Sequence, residues 1–287
     1  MNLPRRRERF RAILSGGRCI HPASVFDPIS ARMAADLGFD LGMFAGSIAA
    51  LTVLGAPDLV LLSLTEFAEQ AYRICRAAEL PLLVDADHGF GNALSVKRTV
   101  EELETAGVAG LTIEDTLLPA AFGDSGKSRL IPVEEGVGKM RAALAGRQDP
   151  SLVIVGRTSA VAITGLEDTL VRVKAYEAAG VDAIFLVGVK TREQLAAISE
   201  TVTLPLLLGN TTGELEDVDY LSANRVRVCL QGHLPFMAGV RAVYETMKAL
   251  RGGTPPKQIT DVASNDLMKH VTRDSEYNRW AKEFLGA

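Results

Sequence analysis

Cysteine is scarce in this chain, and the three present, Cys19, Cys75 and Cys229, are odd in number, widely spaced and free of any Cys-x-x-Cys pair. That excludes a disulfide framework and a thiolate zinc site, and suits small buried hydrophobes in a reducing compartment. A large charge excess is missing too: 31 Lys and Arg stand against 35 Asp and Glu, for a net charge of −4. Nucleic acid held through phosphate contacts is therefore not expected as a partner. The only dense basic run, Arg5-Arg6-Arg7, reads as the solvated face of an N-terminal helix. No apolar run is long enough for a bilayer. Residues 41–56 carry no charge, but they fall short of the roughly 20 residues that span a membrane, and Pro57-Asp58 cuts them off from the apolar Leu59–Leu62. Nor does a basic segment followed by an apolar one open the chain, so the expected location is the cytosol, with no membrane partner.

What is there is a regular alternation. Short apolar runs at Ile20–Phe26, Leu41–Ala45, Leu82–Ala86, Gly110–Glu114, Leu152–Gly156, Ala183–Val187, Leu204–Leu208 and Val226–Leu230 read as strands. Helical periods lie between them at Pro28–Leu37, Thr65–Glu79, Ala93–Ala106, Val133–Gly146, Leu166–Ala179, Thr191–Glu200 and Pro235–Leu250. Asp27, Ser63 and Asn92 stand as caps before the first three, and Gly38, Gly107 and Gly180 stand just past helix ends. Eight strands alternating with helices predict a parallel (β/α)₈ TIM barrel over residues 1–251. A doubly wound open sheet is the alternative, but no Gly-x-Gly-x-x-Gly follows any strand. After Gly252-Gly253-Thr254-Pro255-Pro256, residues 252–287 read as a C-terminal helical extension, in which Trp280 and Phe284 form an i,i+4 pair expected to pack on a neighbouring subunit.

A barrel of this type keeps its active site at the C-terminal strand ends. There the sequence places Gly46 and Ser47, Asp85 and Asp87, Glu114 and Asp115, Arg157, Asn210, and His233. Carboxylates without clustered histidine or thiolate favour a hard cation such as Mg²⁺, which takes one or two carboxylates directly and keeps several waters. One of Asp85 and Asp87 is expected to bind directly and the other through water, with Glu114 suited to a water-mediated place; the alternative is that either aspartate merely caps a turn. Arg157 offers a planar fork for a carboxylate, or a structural ion pair with the same acids. Ser47 beside Gly46 offers amides and a hydroxyl to an anion. His233 is placed for catalysis, with a structural role as its alternative; His21 and His88 are weaker candidates, and His270 lies in the tail with no site context. The loop 115–132 is long for its place and reads as a lid, with Lys127 or Arg129 able to close over an anion or, equally, simply solvated.

At these residues the chain resembles the phosphoenolpyruvate mutase/isocitrate lyase superfamily. The resemblance rests on Ser24-Val25-Phe26-Asp27-Pro28-Ile29-Ser30-Ala31-Arg32, Ala45-Gly46-Ser47, Asp85-Ala86-Asp87-His88-Gly89-Phe90-Gly91-Asn92, Ile113-Glu114-Asp115 and Gly156-Arg157-Thr158. It implies Mg²⁺, with Mn²⁺ able to substitute, held chiefly by Asp85, with Asp58, Asp87 and Glu114 in the water shell. It further implies a 2-oxo acid whose carboxylate meets Ser47 and Arg157, and a homotetramer that exchanges a C-terminal helix. The lid lacks the cysteine of the isocitrate and methylisocitrate lyases, and Lys127-Ser128-Arg129-Leu130 departs from the lid of the phosphonopyruvate-acting members. Glu114–Ala120, Val133–Lys139 and Gly232-His233 instead resemble the oxaloacetate decarboxylase branch. The expectation is Mg²⁺-dependent decarboxylation of oxaloacetate to pyruvate, with Arg157 and His233 catalytic and Ser47, Gly46 and Asn210 around the substrate. A methylisocitrate-lyase-type aldolase, a phosphonopyruvate-acting enzyme and a non-catalytic anion-binding barrel are the rivals.

Overall fold

A computed structural model describes residues 3–120, 122–123 and 126–286. Ala121, Asp124 and Ser125 of the expected lid lie outside the described residues. The strands are short and almost wholly buried, as all-parallel sheets require: β1 Ala23–Ser24, β2 Gly42–Ala45, β3 Leu82–Asp85, β4 Gly110–Glu114, β5 Val153–Thr158, β6 Ala183–Leu186, β7 Leu206–Leu208 and β8 Val226–Cys229. They pair in sequential order, every pair parallel. Ile20, just ahead of β1, bridges Val228, its amide donating to Arg227 and its carbonyl accepting from Cys229, both at 2.9 Å. That bridge joins the last strand to the first, and the expected barrel is the observed one.

Because strand side chains alternate, the sheet divides its apolar residues into two cores. Phe44, Val84, Leu111, Ile113, Ile154, Ile184 and Leu208 face outward against the helices. Met43, Leu83, Val153, Val155, Phe185 and Val228 face inward, joined by Phe10 and Leu14 of helix α1 (Leu3–Ser15), which closes the floor. Around the sheet run α2 Pro28–Asp36, α3 Gly46–Ala49, α4 Leu64–Ala77, α5 Ala93–Ala106, α6 Val133–Gly146, α7 Ala160–Ile163, α8 Leu166–Ala179, α9 Arg192–Thr201, α10 Val218–Ala223 and α11 Leu234–Arg251. The tail adds α12 Asn265–Thr272 and α13 Asp274–Leu285. Asp27, Ser63 and Asn92 each accept amide hydrogen bonds at the N-termini of α2, α4 and α5, and Gly107 and Gly180 end α5 and α8 with φ of 95° and 100°.

Three expectations need correction. Arg6 and Arg7 are not solvated; they are 3% and 4% exposed. The helix lies across the floor, so their guanidinium groups reach the carbonyls of Cys75 and Glu104 in the last turns of α4 and α5, where helix dipoles favour cations. Strand β2 ends at Ala45, as expected, but the apolar stretch beyond it forms α3 and then a π-helical turn, Ala50–Leu54, neither of which was among the expected helices. And α10, capped by Asp217, fills the link between β7 and β8. In the tail, Trp280 packs edge-on against Tyr277 at 5.2 Å, while Phe284 is 70% exposed. Among the described residues, no helix is long and apolar enough to cross a membrane.

Candidate active site

Asp85 is the last residue of β3, level with Ala45 of β2 and Thr112 of β4. Its carboxylate accepts from Thr112 Oγ at 2.6 Å and pairs with Arg157 Nη1, from β5. Arg157 Nη2 lies 3.5 Å from Glu114 Oε2 at the end of β4, and Thr116 Oγ donates to that same oxygen at 2.6 Å. Register dictates this meeting, since Glu114 and Arg157 are paired residues of neighbouring strands. Arg157 thus forms the ion pair that was the alternative to substrate binding, yet its Nε stays buried without a partner among the described residues.

Asp87 follows in the loop, where φ is 47°, a left-handed conformation rare outside glycine. Its carboxylate faces Gly46 so closely that a Cβ on that glycine would collide with it. Burial first, and then the charges of Asp85 and Glu114, push the Asp87 carboxyl up to about 8. Burial raises Glu114 against the pull of Arg157. Asp58, on the solvent-exposed rim, is raised by partial burial and by Asp85. Among the described residues, four carboxylates therefore share one guanidinium. Burying a charge without a partner is costly, so such a surplus suits a cation bound among oxygen donors. Among the described residues, no three acidic, histidine or cysteine side chains gather tightly enough to ligate one ion together. One direct carboxylate with the others reaching through water remains compatible with that spacing.

On the other side of the mouth, His233 occupies the position just before α11, and its ring stands between two hydroxyls. Its Nδ1 is 2.8 Å from Ser24 Oγ of β1, and its Nε2 is 3.4 Å from Ser47 Oγ of α3. Burial lowers the pKa of this imidazole, while Asp85 and Asp58 oppose the shift. Asn210 lies against Gly232, so the loops after β7 and β8 meet there. The structure thus brings together Gly46, Ser47, Asp85, Asp87, Glu114, Asp58 and Arg157, with His233 tied to Ser47 and Asn210 beside its loop.

Asp115 is not part of this set. Fully buried, it turns to the opposite side and accepts from Tyr176 Oη at 2.6 Å and Arg172 Nη1 at 3.1 Å. Arg172 also donates to the Ile131 carbonyl at 3.0 Å, fixing the stem of the long loop, which closes through a Thr116–Leu130 bridge. His21 bonds the Cys229 carbonyl and His270 pairs with Asp36, so neither joins the mouth. Sequence reasoning missed Ser24, Thr112 and Lys139 as individual contributors. A hydroxyl inside a strand looks like ordinary filler, and only strand register shows that Thr112 faces Asp85. Lys139 ends the Val133–Lys139 stretch inside a helix, where a lysine reads as solvated.

Residues 10–251 match the family described as phosphoenolpyruvate phosphomutase. The oxaloacetate decarboxylase of Bradyrhizobium diazoefficiens is 59% identical over 281 residues, which cover 98% of this chain and 97% of that protein. A phosphonopyruvate hydrolase solved in complex with oxalate and Mg²⁺ superposes with a TM-score of 0.85 at 27% identity, covering 98% of this chain and 99% of that one. An oxaloacetate acetylhydrolase in complex with the inhibitor 3,3-difluorooxalacetate gives 0.84 at 28% identity, over 98% and 97%. The chain belongs to the phosphoenolpyruvate mutase/isocitrate lyase superfamily and groups there with proteins named oxaloacetate decarboxylase.

Proposed function

We propose that this chain decarboxylates oxaloacetate to pyruvate with the help of a divalent cation. The observation that carries the reading is the buried surplus of carboxylates around Arg157 at the C-terminal mouth. Asp85 would hold the cation, Mg²⁺ or in its place Mn²⁺, with Asp58, Asp87 and Glu114 reaching it through water. When bound, the cation acts as a Lewis acid that draws charge from the 2-oxo group.

The chain's own groups do the rest. Arg157 has a donor left over at Nε and a charge that no longer needs to serve two carboxylates once a cation shares them. It then holds the C1 carboxylate with Ser47, while Gly46 leaves room for the Asp87 carboxylate beside it. Held this way, the C3–C4 bond can align with the 2-oxo π system, so that its electrons pass into the C2 oxygen as CO₂ leaves. His233, beside Ser47, and Asn210, beside Gly232, complete the substrate pocket. His233 is neutral near pH 7 because burial lowers its pKa. Its ring is oriented by Ser24; after taking up a proton from solvent, the imidazolium gives it from Nε2 to C3 of the pyruvate enolate and returns to the neutral form, with an ordered water as the alternative donor.

Assembly as a homotetramer is part of the same reading. Leu234, Met237, Val243, Tyr244 and Met247 leave α11 with an exposed apolar face, and the tail presents Phe284 and Leu285. A neighbouring copy's helices would cover these surfaces. The three free, buried thiols suit a cytosolic setting. The test is CO₂ release from oxaloacetate with Mg²⁺ and again in chelator, run beside phosphonopyruvate and a 2-alkylmalate. Turnover of oxaloacetate that chelation leaves intact, or release of an aldehyde or second oxo acid in its place, would overturn the proposal.

A further inference from the structure

One buried cation has no part in the decarboxylation chemistry. Lys139 of α6 is 3% exposed, and its Nζ donates to the His88 carbonyl at 2.8 Å. Burial lowers its pKa, while Glu135, Glu114 and Asp115 hold the ammonium charged. A lysine this deep is uncommon unless paired, and its bond here goes to backbone. The carbonyl it takes belongs to the loop that carries Asp87.

That loop is held from outside at three of its four carbonyls. Asp87 and Phe90 are both left-handed, with φ of 47° and 57°, a conformation that persists in such residues only where the surroundings over-determine it. The surroundings do so one carbonyl at a time. Ala86 O accepts from Gly89 N at 2.9 Å and Asp87 O accepts from Glu114 N at 2.8 Å. His88 O accepts from Lys139, and Gly89 O accepts from Thr99 Oγ of α5 at 3.0 Å. Two of these four bonds are backbone to backbone and follow from the fold. The other two depend on single side chains from α5 and α6.

We propose that Lys139, seconded by Thr99, is a positioning residue for the cation site: it holds the His88 carbonyl, and thereby keeps Asp87 in its left-handed turn with the carboxylate aimed over Gly46 toward Asp85. Lys139 touches neither substrate nor cation, so it acts through Asp87. The inference rests on the proposed function in one respect, that Asp87 orders water around a bound cation. Groups that orient the ligands of a metal site commonly alter affinity by about 10- to 100-fold when removed.

The direction of the effect separates this role from a purely electrostatic one. Removing a nearby positive charge alone would tighten binding of Mg²⁺, whereas releasing the loop weakens it. The experiment is calorimetric titration of Mg²⁺ into the wild-type protein, Lys139→Met and Lys139→Arg without substrate, together with Mg²⁺ activation of turnover. Lys139→Met should bind Mg²⁺ about tenfold more weakly, with kcat at saturating Mg²⁺ within about twofold of wild type, and Lys139→Arg, which keeps a donor, should recover most of the affinity. Unchanged or tighter binding in folded Lys139→Met would overturn the role. Should Lys139→Met fail to fold, Thr99→Val removes the neighbouring bond with no change of charge, and unaltered Mg²⁺ affinity there counts against the proposal equally. If wild-type protein itself takes up no Mg²⁺, the failure belongs to the cation reading and not to Lys139.

Discussion

Buried charge occupies both ends of the barrel, and the two ends handle it in opposite ways. At the floor, Arg7 meets Asp149 at 2.6 Å and Glu104 at 3.4 Å, while Glu104 also accepts the backbone amides of Gln148 and Asp149, each at 2.7 Å. Close by, Arg11 and Arg147 share Asp182 at 3.1 and 2.7 Å. Every acid there has a cation or a row of amides. At the mouth, Asp85, Asp87, Glu114 and Asp58 have Arg157 among them. A balanced cluster holds elements together. An unbalanced one stores a deficit that something from outside must fill, in keeping with the division of such barrels into a stabilising face and a catalytic one.

Removing one charge from each end should therefore give opposite phenotypes, and the largest effect belongs to the mouth. Asp85→Ala is expected to lower decarboxylation by about 10³-fold, the loss of several kcal/mol of charge stabilisation at the reacting oxygen. Its melting temperature should stay near wild type, because Arg157 keeps Glu114 and the carboxylate crowding falls. Steady-state kinetics beside calorimetry would check both halves. Activity within tenfold of wild type would break the comparison at once.

The floor should answer in stability instead. Arg7→Met leaves Glu104 buried without its cation, and breaking a buried pair from one side costs about 3–5 kcal/mol. The amides on Glu104 keep the expected loss near the lower bound, a fall in melting temperature of roughly 10 °C for a domain of this size. Turnover per folded molecule should be unchanged. A variant equally stable but inactive would mean that the floor reaches the chemistry, and the division of labour between the two ends would have to be given up.

This division was legible in the sequence at the mouth and hidden at the floor. Asp85, Glu114 and Arg157 end predicted strands, and parallel pairing alone puts strand ends at one level, as the Glu114–Arg157 register bears out. Arg7 carries no such mark: whether an arginine in a polar helix is solvated depends on which surface the helix covers, and that is tertiary information. The same limit hid Ser24, whose hydroxyl meets His233 across 209 positions of chain. Strand centres were legible to within two or three residues because burial on both faces writes a continuous apolar run. The end of β2 at Ala45 was legible too, but helix α3 was not, since Ala45 makes no side-chain cap and the residues beyond it are as apolar as the strand itself.

The smallest effect is the one that tests the charge imbalance most directly, through pH. Asp87, pushed up to about 8 by burial and by its acidic neighbours, has a folded pKa above its unfolded value near 4. Without a cation, its contribution to stability is full below about pH 4 and is lost as pH rises through 8. Asp149 is its mirror: hydrogen bonds from Ser151, and then Arg7, hold it down at about 2. Its contribution is present above about pH 4 and is lost as pH falls toward 2. In chelator, Asp87→Asn should melt a few degrees above wild type at pH 8 and coincide with it at pH 4, whereas Asp149→Asn should melt below wild type at pH 7 and converge with it near pH 2. Adding Mg²⁺ at pH 8 should erase the advantage of Asp87→Asn, because the wild-type carboxylate then has the partner it lacked. If Asp87→Asn shows no advantage in chelator, the carboxylates at the mouth already balance one another, and the contrast between the two ends of the barrel is one of position alone.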